Sequence, residues 1–294
     1  MTNLNSQAML ILAAFFWGTG NVAQKTVLTE IGPLTAVGLR CLIASIVLLP
    51  VVWHELPKAQ NFARRNLGSV AVVVVLFAAA ICLQQLCYAG TSVSNASFLI
   101  STTTVMTPFI SWWACNSRPA AAIWLAVLCT FTGIILIAGG SIANLSWGDF
   151  VCLCSAFLYA MWFVALGRLV GKVGTPGLIT LAQFLFAGCL FLGLGISLET
   201  VGLAQIFSVL PHLLYLGVFA TGFAYGLQAM AQQRVSANVA AVLTSSESVF
   251  GVGAAAVLLG EHIKAPMFLG GILILVAISL VQVSPNWTCR AKTA

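Results

Sequence analysis

The sequence predicts an all-α membrane protein: ten transmembrane helices in two inverted five-helix repeats. Three observations predict it. Hydrophobic residues make up 61% of the 294 positions and charged residues 6%, whereas soluble domains run about 45–50% and about 25%. Polar or Gly/Pro breaks cut the chain into ten apolar runs, each near the roughly 20 residues that a spanning helix needs. Polar landmarks then recur 143 positions apart. The composition excludes a soluble enzyme, a disordered chain and a secreted disulfide scaffold. Loops and tails keep only about 90 residues, too few for a sizeable domain outside the bilayer.

The runs follow in order. Ala8–Thr26 is expected to be a retained span, because Met1 to Gln7 carry no basic residue and no small-residue cleavage pattern follows. Pro33–Trp53 opens on its proline, and Leu67–Ala89 is the third run. Ser92–Cys115 contains Pro108, which removes a backbone bond and predicts a kink. Ala120–Gly139 closes the first half. Trp147–Val170, Pro176–Leu198, Pro211–Gln232, Ser236–Leu259 and Ala265–Val283 form the second. Gly188, Gly193, Gly195, Gly251 and Gly253 permit close helix approach. Trp53, Trp113 and Trp147 lie near span ends, as interfacial anchors do.

The two halves, 1–140 and 141–294, repeat. Lys25 and Arg168, Pro33 and Pro176, Gln85 and Gln228, and Asn95 and Asn238 are each 143 apart. Ser101-Thr102-Thr103-Thr104 and Thr244-Ser245-Ser246-Glu247 follow the two asparagines, and Gly133 matches Gly271 after a shift to 138. Five spans per half, an odd number, insert the second half upside down. Inverted repeats mark alternating-access transporters, with the substrate site near the midplane between the repeats.

Orientation follows from the short-loop charges. With the N-terminus in the cytoplasm, Lys58, Arg64, Arg65, Arg118, Arg168, Lys172, Arg234, Arg290 and Lys292 lie inside, and only Lys25 and Lys264 outside. Both termini are therefore expected to be cytoplasmic. The net charge of +6 is scattered over loops and forms no patch, which argues against nucleic acid. The nine cysteines show no zinc-type spacing and are expected to be small packing residues. There is no P-loop and no HExxH, and His54, His212 and His262 sit at helix ends, so neither ATP, a cofactor nor a metal is expected.

Trp17-Gly18-Thr19-Gly20-Asn21 with Lys25, then Pro33 and Arg40, resembles the opening of an EamA domain. Gly260-Glu261 followed by Gly270-Gly271 resembles the end of one. In order and spacing the chain is similar to EamA-type exporters of the drug/metabolite transporter superfamily. It departs in two places: Glu247 is followed by Ser248 rather than proline, and Ser117-Arg118 replaces Gly-Glu in the first repeat. The resemblance implies export of small metabolites across the inner membrane of a bacterium.

Glu247 is the one acidic residue deep inside a span. A carboxyl group there is expensive, so it faces a cavity or pairs with another group. It suits a proton carrier or an anchor for a substrate ammonium; the bland alternative is a carboxyl bonded to a neighbouring helix. Arg40 sits about 10 Å deep at the usual rise. It either meets a substrate carboxylate or cavity acid, or snorkels outward and ties down helix ends, and the latter is favoured. Stripes of polar and aromatic residues complete the expected site: Trp17, Asn21 and Gln24; Gln84, Gln85 and Tyr88; Ser97, Ser101 and Thr104; Tyr159 and Trp162; Thr221, Tyr225 and Gln228; Thr244, Glu247 and Ser248. They suggest a polar cavity with aromatic walls and one carboxylate. Such a cavity suits a zwitterion with a variable side chain. The expected function is a secondary active transporter exporting small polar metabolites, first of all amino acids, with a small-molecule substrate and the lipid bilayer as partners. One chain holds both repeats, so a monomer suffices. The rivals are an exporter of cationic drugs or amines, held by Glu247 with Trp17, Tyr159 and Trp162, and an uncoupled facilitator. An intramembrane enzyme lacks a mid-span dyad.

Overall fold

The computed structural model describes residues 3–59, 63–91, 96, 99–115, 119–137, 146–259 and 265–283. Asn95, Ser97, Ser117, Arg118, Gly260, Glu261, Lys264, Cys289, Arg290 and Lys292 lie outside them. The first seven spans are Asn3–Glu30, Pro33–Ala59, Ala63–Gly90, Thr103–Cys115, Ala121–Ile137, Trp147–Val173 and Pro176–Leu198. A short helix, Leu203–Ser208, leads to the eighth, which runs through Leu210–Tyr215, a π-helical segment Leu216–Phe223, and Ala224–Gln232. The ninth is split into Ala237–Thr244 and Glu247–Leu259, and the tenth is Ala265–Val283. Among the described residues there is no strand. Among the described residues, five helices are long and apolar enough to cross a membrane by length and composition: Pro33–Pro57, Asn66–Gly90, Trp147–Val173, Pro176–Leu198 and Leu210–Gln232. The first span is less apolar because Asn21, Gln24 and Lys25 sit on it. Trp53, Trp113 and Trp147 are exposed near span ends, where the anchor reading puts them.

The interruptions of the fourth and ninth spans match. Thr102 breaks one and Ser245-Ser246 the other. Thr102 and Thr103 donate their hydroxyls back to the carbonyls of Leu99 and Ile100. Ser245 and Ser246 donate theirs to Val242 and Leu243, in the same 143-residue register. Such back-bonding competes with the helix ladder, so each helix opens at mid-depth. The break therefore falls at Thr102, ahead of Pro108, where the proline alone predicted a kink. The split also makes Glu247 the first residue of a new helix rather than a mid-helix residue.

The second and seventh spans pack along their length in an antiparallel pair, each capping the other. Glu199, just past the end of the seventh, accepts from the amides of Leu34 (2.8 Å) and Thr35 (2.9 Å) at the start of the second. Glu55, near the end of the second, accepts from the amides of Gly177 (3.1 Å) and Leu178 (2.9 Å) at the start of the seventh. Pro33 and Pro176 open the two helices, where their missing N–H costs nothing. Each carboxylate thus supplies orphan donors and sits on the positive end of a helix dipole. Between the clamps, Gly38 lies against the Leu192 backbone and Gly188 against Leu42.

The largest helix contacts run between the repeats, not within them. The first, second, eighth and ninth spans make one bundle, and the third, fourth, sixth and seventh make another. The second–seventh pair joins the bundles, and the fifth and tenth pack on each other at the side, with Gly133 against the Gly270 carbonyl. Two separate five-helix bodies are therefore not what the packing forms.

One cysteine expectation is overturned. Cys87 and Cys152 form a disulfide between the third and sixth spans, Cα atoms 5.2 Å apart. Around it, Thr91 donates to Asp149 (2.7 Å) and Gly90 meets Gly148. Ser146 and Asp149 close a capping box on the sixth span. The two half-cystines are 65 residues apart, with no sequence spacing to pair them.

Candidate functional site

A cavity of about 70 Å³ lies between the two bundles at the level of the helix breaks. Its position begins with glycine. A Cβ on Gly18 would stand 2.5 Å from the Glu247 carbonyl and 2.8 Å from the Gly251 amide, so only glycine lets the first span approach the ninth. That approach sets Asn21 beside Glu247. Asn21 Nδ2 donates to Glu247 Oε1 (3.3 Å), and Asn21 Oδ1 accepts from the Tyr88 hydroxyl (3.1 Å). The carboxyl is half-buried and lines the cavity.

The aromatic wall depends on the π-helical segment. Widened π turns recur at functional sites. Here the segment presents the Ala220 carbonyl to Trp17 Nε1 (2.9 Å) and the Thr221 hydroxyl to Arg40 Nε (2.9 Å). The Trp17 ring then packs on Tyr225, centroids 4.9 Å apart. Tyr159 donates to Gln84 Oε1 (2.9 Å), so the Tyr225 hydroxyl, also 2.9 Å away, donates to Tyr159. This pair of phenols bridges the two bundles.

Arg40 does not snorkel. It is 2% exposed and lines the cavity. Nη1 donates to Gln24 Oε1 (3.1 Å) and Gln85 Oε1 (3.3 Å). Its three hydrogen-bond partners are neutral. The cavity expected to hold one carboxylate thus holds a guanidinium as well, and the favoured outward reading of Arg40 is corrected.

The family model described as "EamA-like transporter family" matches residues 5–139 and again 146–283. The chain belongs to the EamA-like transporter family. It is similar to an uncharacterized transporter of Archaeoglobus fulgidus, 26% identical over 275 residues, covering 93% of this chain and 84% of that one. It is also similar to the uncharacterized transporter YwfM of Bacillus subtilis, 24% identical over 299 residues and covering 97% and 95%. A solved crystal structure with 14% identity spans 95% of this chain and 96% of its own, with a TM-score of 0.78, which shows the fold.

Within the EamA fold of this chain, Trp17, Asn21, Gln24, Gln84, Ser101, Thr104, Tyr159, Tyr225, Thr244 and Glu247 line the cavity. Six other described residues of the expected stripes do not, among them Thr221, bonded to Arg40, and Ser248, bonded to Ser101. Gln85 lies behind Arg40 and bonds to it. Tyr88 bonds to Asn21, which lines the cavity. Trp162, one turn from Tyr159, is buried behind Tyr225 and donates to Gln183. Gln228 is fully buried, and neither end of its amide has a partner. A stripe fixes a helix face only to within a turn, so these six fall just past the cavity edge. Phe163 was not expected in the site, and Arg40 was expected to turn away from it; both line it. Gln24 shares a face with Trp17 and Asn21, and that spacing was its signal.

Proposed function

We propose that this EamA-family membrane transporter is a secondary exporter of small polar metabolites, amino acids first, working by alternating access at the cavity between its bundles. The observation that carries the reading is Glu247: a carboxyl group at mid-depth, on a broken helix, in a cavity walled by Trp17, Tyr159 and Tyr225 and bordered by amides. Discontinuous helices that face a midplane site are the usual geometry of secondary transporters. In this reading Glu247 holds the substrate ammonium or carries a coupling proton, and Asn21 orients it. The charge distribution supports cytoplasmic N- and C-termini, and the proposed location is a bacterial inner membrane. The Cys87–Cys152 disulfide supports that orientation, because it joins the helix ends assigned to the outer face, and disulfides persist in the periplasm rather than the cytosol.

Counterflow in proteoliposomes preloaded with mixed amino acids tests this, at two pH gradients, for wild type and Glu247→Gln. Exchange by the wild type that Glu247→Gln abolishes is the expected result, and a dependence of net flux on the gradient marks proton coupling. Exchange untouched by Glu247→Gln removes that residue from the pathway. Inhibition by quaternary amines, without exchange of any amino acid by a folded protein, moves the substrate to the cationic class.

A further inference from the structure

We propose that Arg40, supported by Gln24 and Gln85, is a carboxylate-binding pole of the cavity, so that substrates carry a carboxylate as well as an ammonium group. The inference rests on the transport reading of the same cavity and narrows its substrate class.

A buried guanidinium is costly unless it is compensated. Arg40 is 2% exposed, and its partners Thr221, Gln24 and Gln85 offer it only neutral oxygens. Its remaining nitrogen, Nη2, has no hydrogen-bond partner among the described residues. The two glutamines deepen the imbalance. Each turns Oε1 to Arg40, which fixes its amide orientation and leaves Nε2 buried with no partner. Gln24, 3% exposed, lines the cavity beside Arg40. The cluster is therefore rich in donors and short of one acceptor with negative charge. A carboxylate has the lone pairs for Nη2 and an amide together, and a planar guanidinium matches its geometry.

The position suits a zwitterion. Gln24, which holds Arg40, is three residues from Asn21, which holds Glu247. The two anchors are thus about 4.5 Å apart along the first span. A carboxylate at the Arg40 end and an ammonium at the Glu247 end lie along one helix face, leaving a side chain toward Trp17, Tyr159 and Phe163. A simple amine fills only one pole and leaves Arg40 uncompensated.

Gln24→Glu is the decisive variant. It gives Arg40 an internal counter-ion, which satisfies a structural arginine and competes with a substrate carboxylate. Wild type, Gln24→Glu and Arg40→Lys are reconstituted for counterflow of labelled leucine and phenylalanine. Leucinamide, phenylalaninamide and 3-phenylpropanoate serve as competitors. The same proteins in detergent are melted with and without 3-phenylpropanoate. Free acids should compete and amides fail. Gln24→Glu should keep a Tm at or above wild type while its KM rises about 30-fold, as loss of a desolvated charge pair implies. Amides that compete as well as acids, or an unchanged KM in Gln24→Glu, overturn the proposal and leave the amino-acid reading standing. If the wild type exchanges no amino acid, that reading falls and melting decides the pole. A Tm rise with 3-phenylpropanoate that Gln24→Glu loses upholds it, and no rise in the wild type overturns it.

Discussion

Gly18 shows how one position sets the site. Its missing Cβ is what lets the backbones of Glu247 and Gly251 close on the first span. Neither obstructing atom is a flexible side-chain end, so Gly18→Ala must push the ninth span away. Overpacking of this kind costs about 1–3 kcal/mol. It should lower the Tm in detergent and raise the KM of whatever substrate is exchanged, because Glu247 leaves Asn21. Gly253→Ala is the control: nothing lies within 4 Å of its Cβ position, so its Tm should hold or rise slightly. Much of this detail was legible in sequence. Glu247 stood out by its cost in lipid, and Trp17, Asn21, Tyr159 and Tyr225 by helical spacing. Arg40 was not legible, because depth in a span does not say whether a long side chain turns outward or inward. Its inward turn depends on Gln24, Gln85 and Thr221 from three other spans.

Among the helices, the inverted repeat was legible as a spacing and became a physical device in the structure. The proline pair marked the starts of the second and seventh spans. The glutamates that cap them were hidden, because each lies at the far end of the other helix, 144 residues apart from its counterpart. Each carboxylate accepts two backbone amides at a helix start. A carboxamide offers one acceptor oxygen and no charge to the dipole. Glu55→Gln and Glu199→Gln should therefore each destabilise by about 1–2 kcal/mol. The clamps sit at opposite ends of a helix pair, far enough apart for the losses to add in the double variant. Thermal melts of the two single variants and the double check this. A double variant no less stable than either single would mean that the clamps act as one unit. The helix breaks share this history: the hydroxyl clusters were visible, whereas their back-bonding at Thr102 and Ser245-Ser246 needed the fold.

Across the chain, the pattern of packing decides what can move. Helices pack chiefly on partners from the other repeat, so under the proposed alternating-access reading the bodies that rock are the two mixed bundles rather than the two repeats. The second–seventh pair, clamped at both ends, is the natural axis. Bonds between the bundles, away from the second–seventh pair, include the single side-chain contacts Tyr159 to Tyr225, Tyr88 to Asn21, Arg40 to Gln85, Ser101 to Ser248 at 3.3 Å, Thr104 to the Ala241 carbonyl, Gln232 to the Phe163 carbonyl and Lys25 to the Tyr88 carbonyl. Each can break in a rocking step at modest cost. The Cys87–Cys152 disulfide lies elsewhere, between the third and sixth spans of one bundle. It stiffens one bundle and does not tie that bundle to the other. Two cross-links should therefore behave oppositely in the counterflow assay. Reducing Cys87–Cys152 should lower the Tm and leave the exchange rate near that of the oxidised protein. A Ser101→Cys/Ser248→Cys pair, close enough to bridge, should stop exchange when oxidised and restore it when reduced. Exchange that continues through the oxidised Ser101→Cys/Ser248→Cys cross-link would place the moving boundary somewhere other than between these bundles.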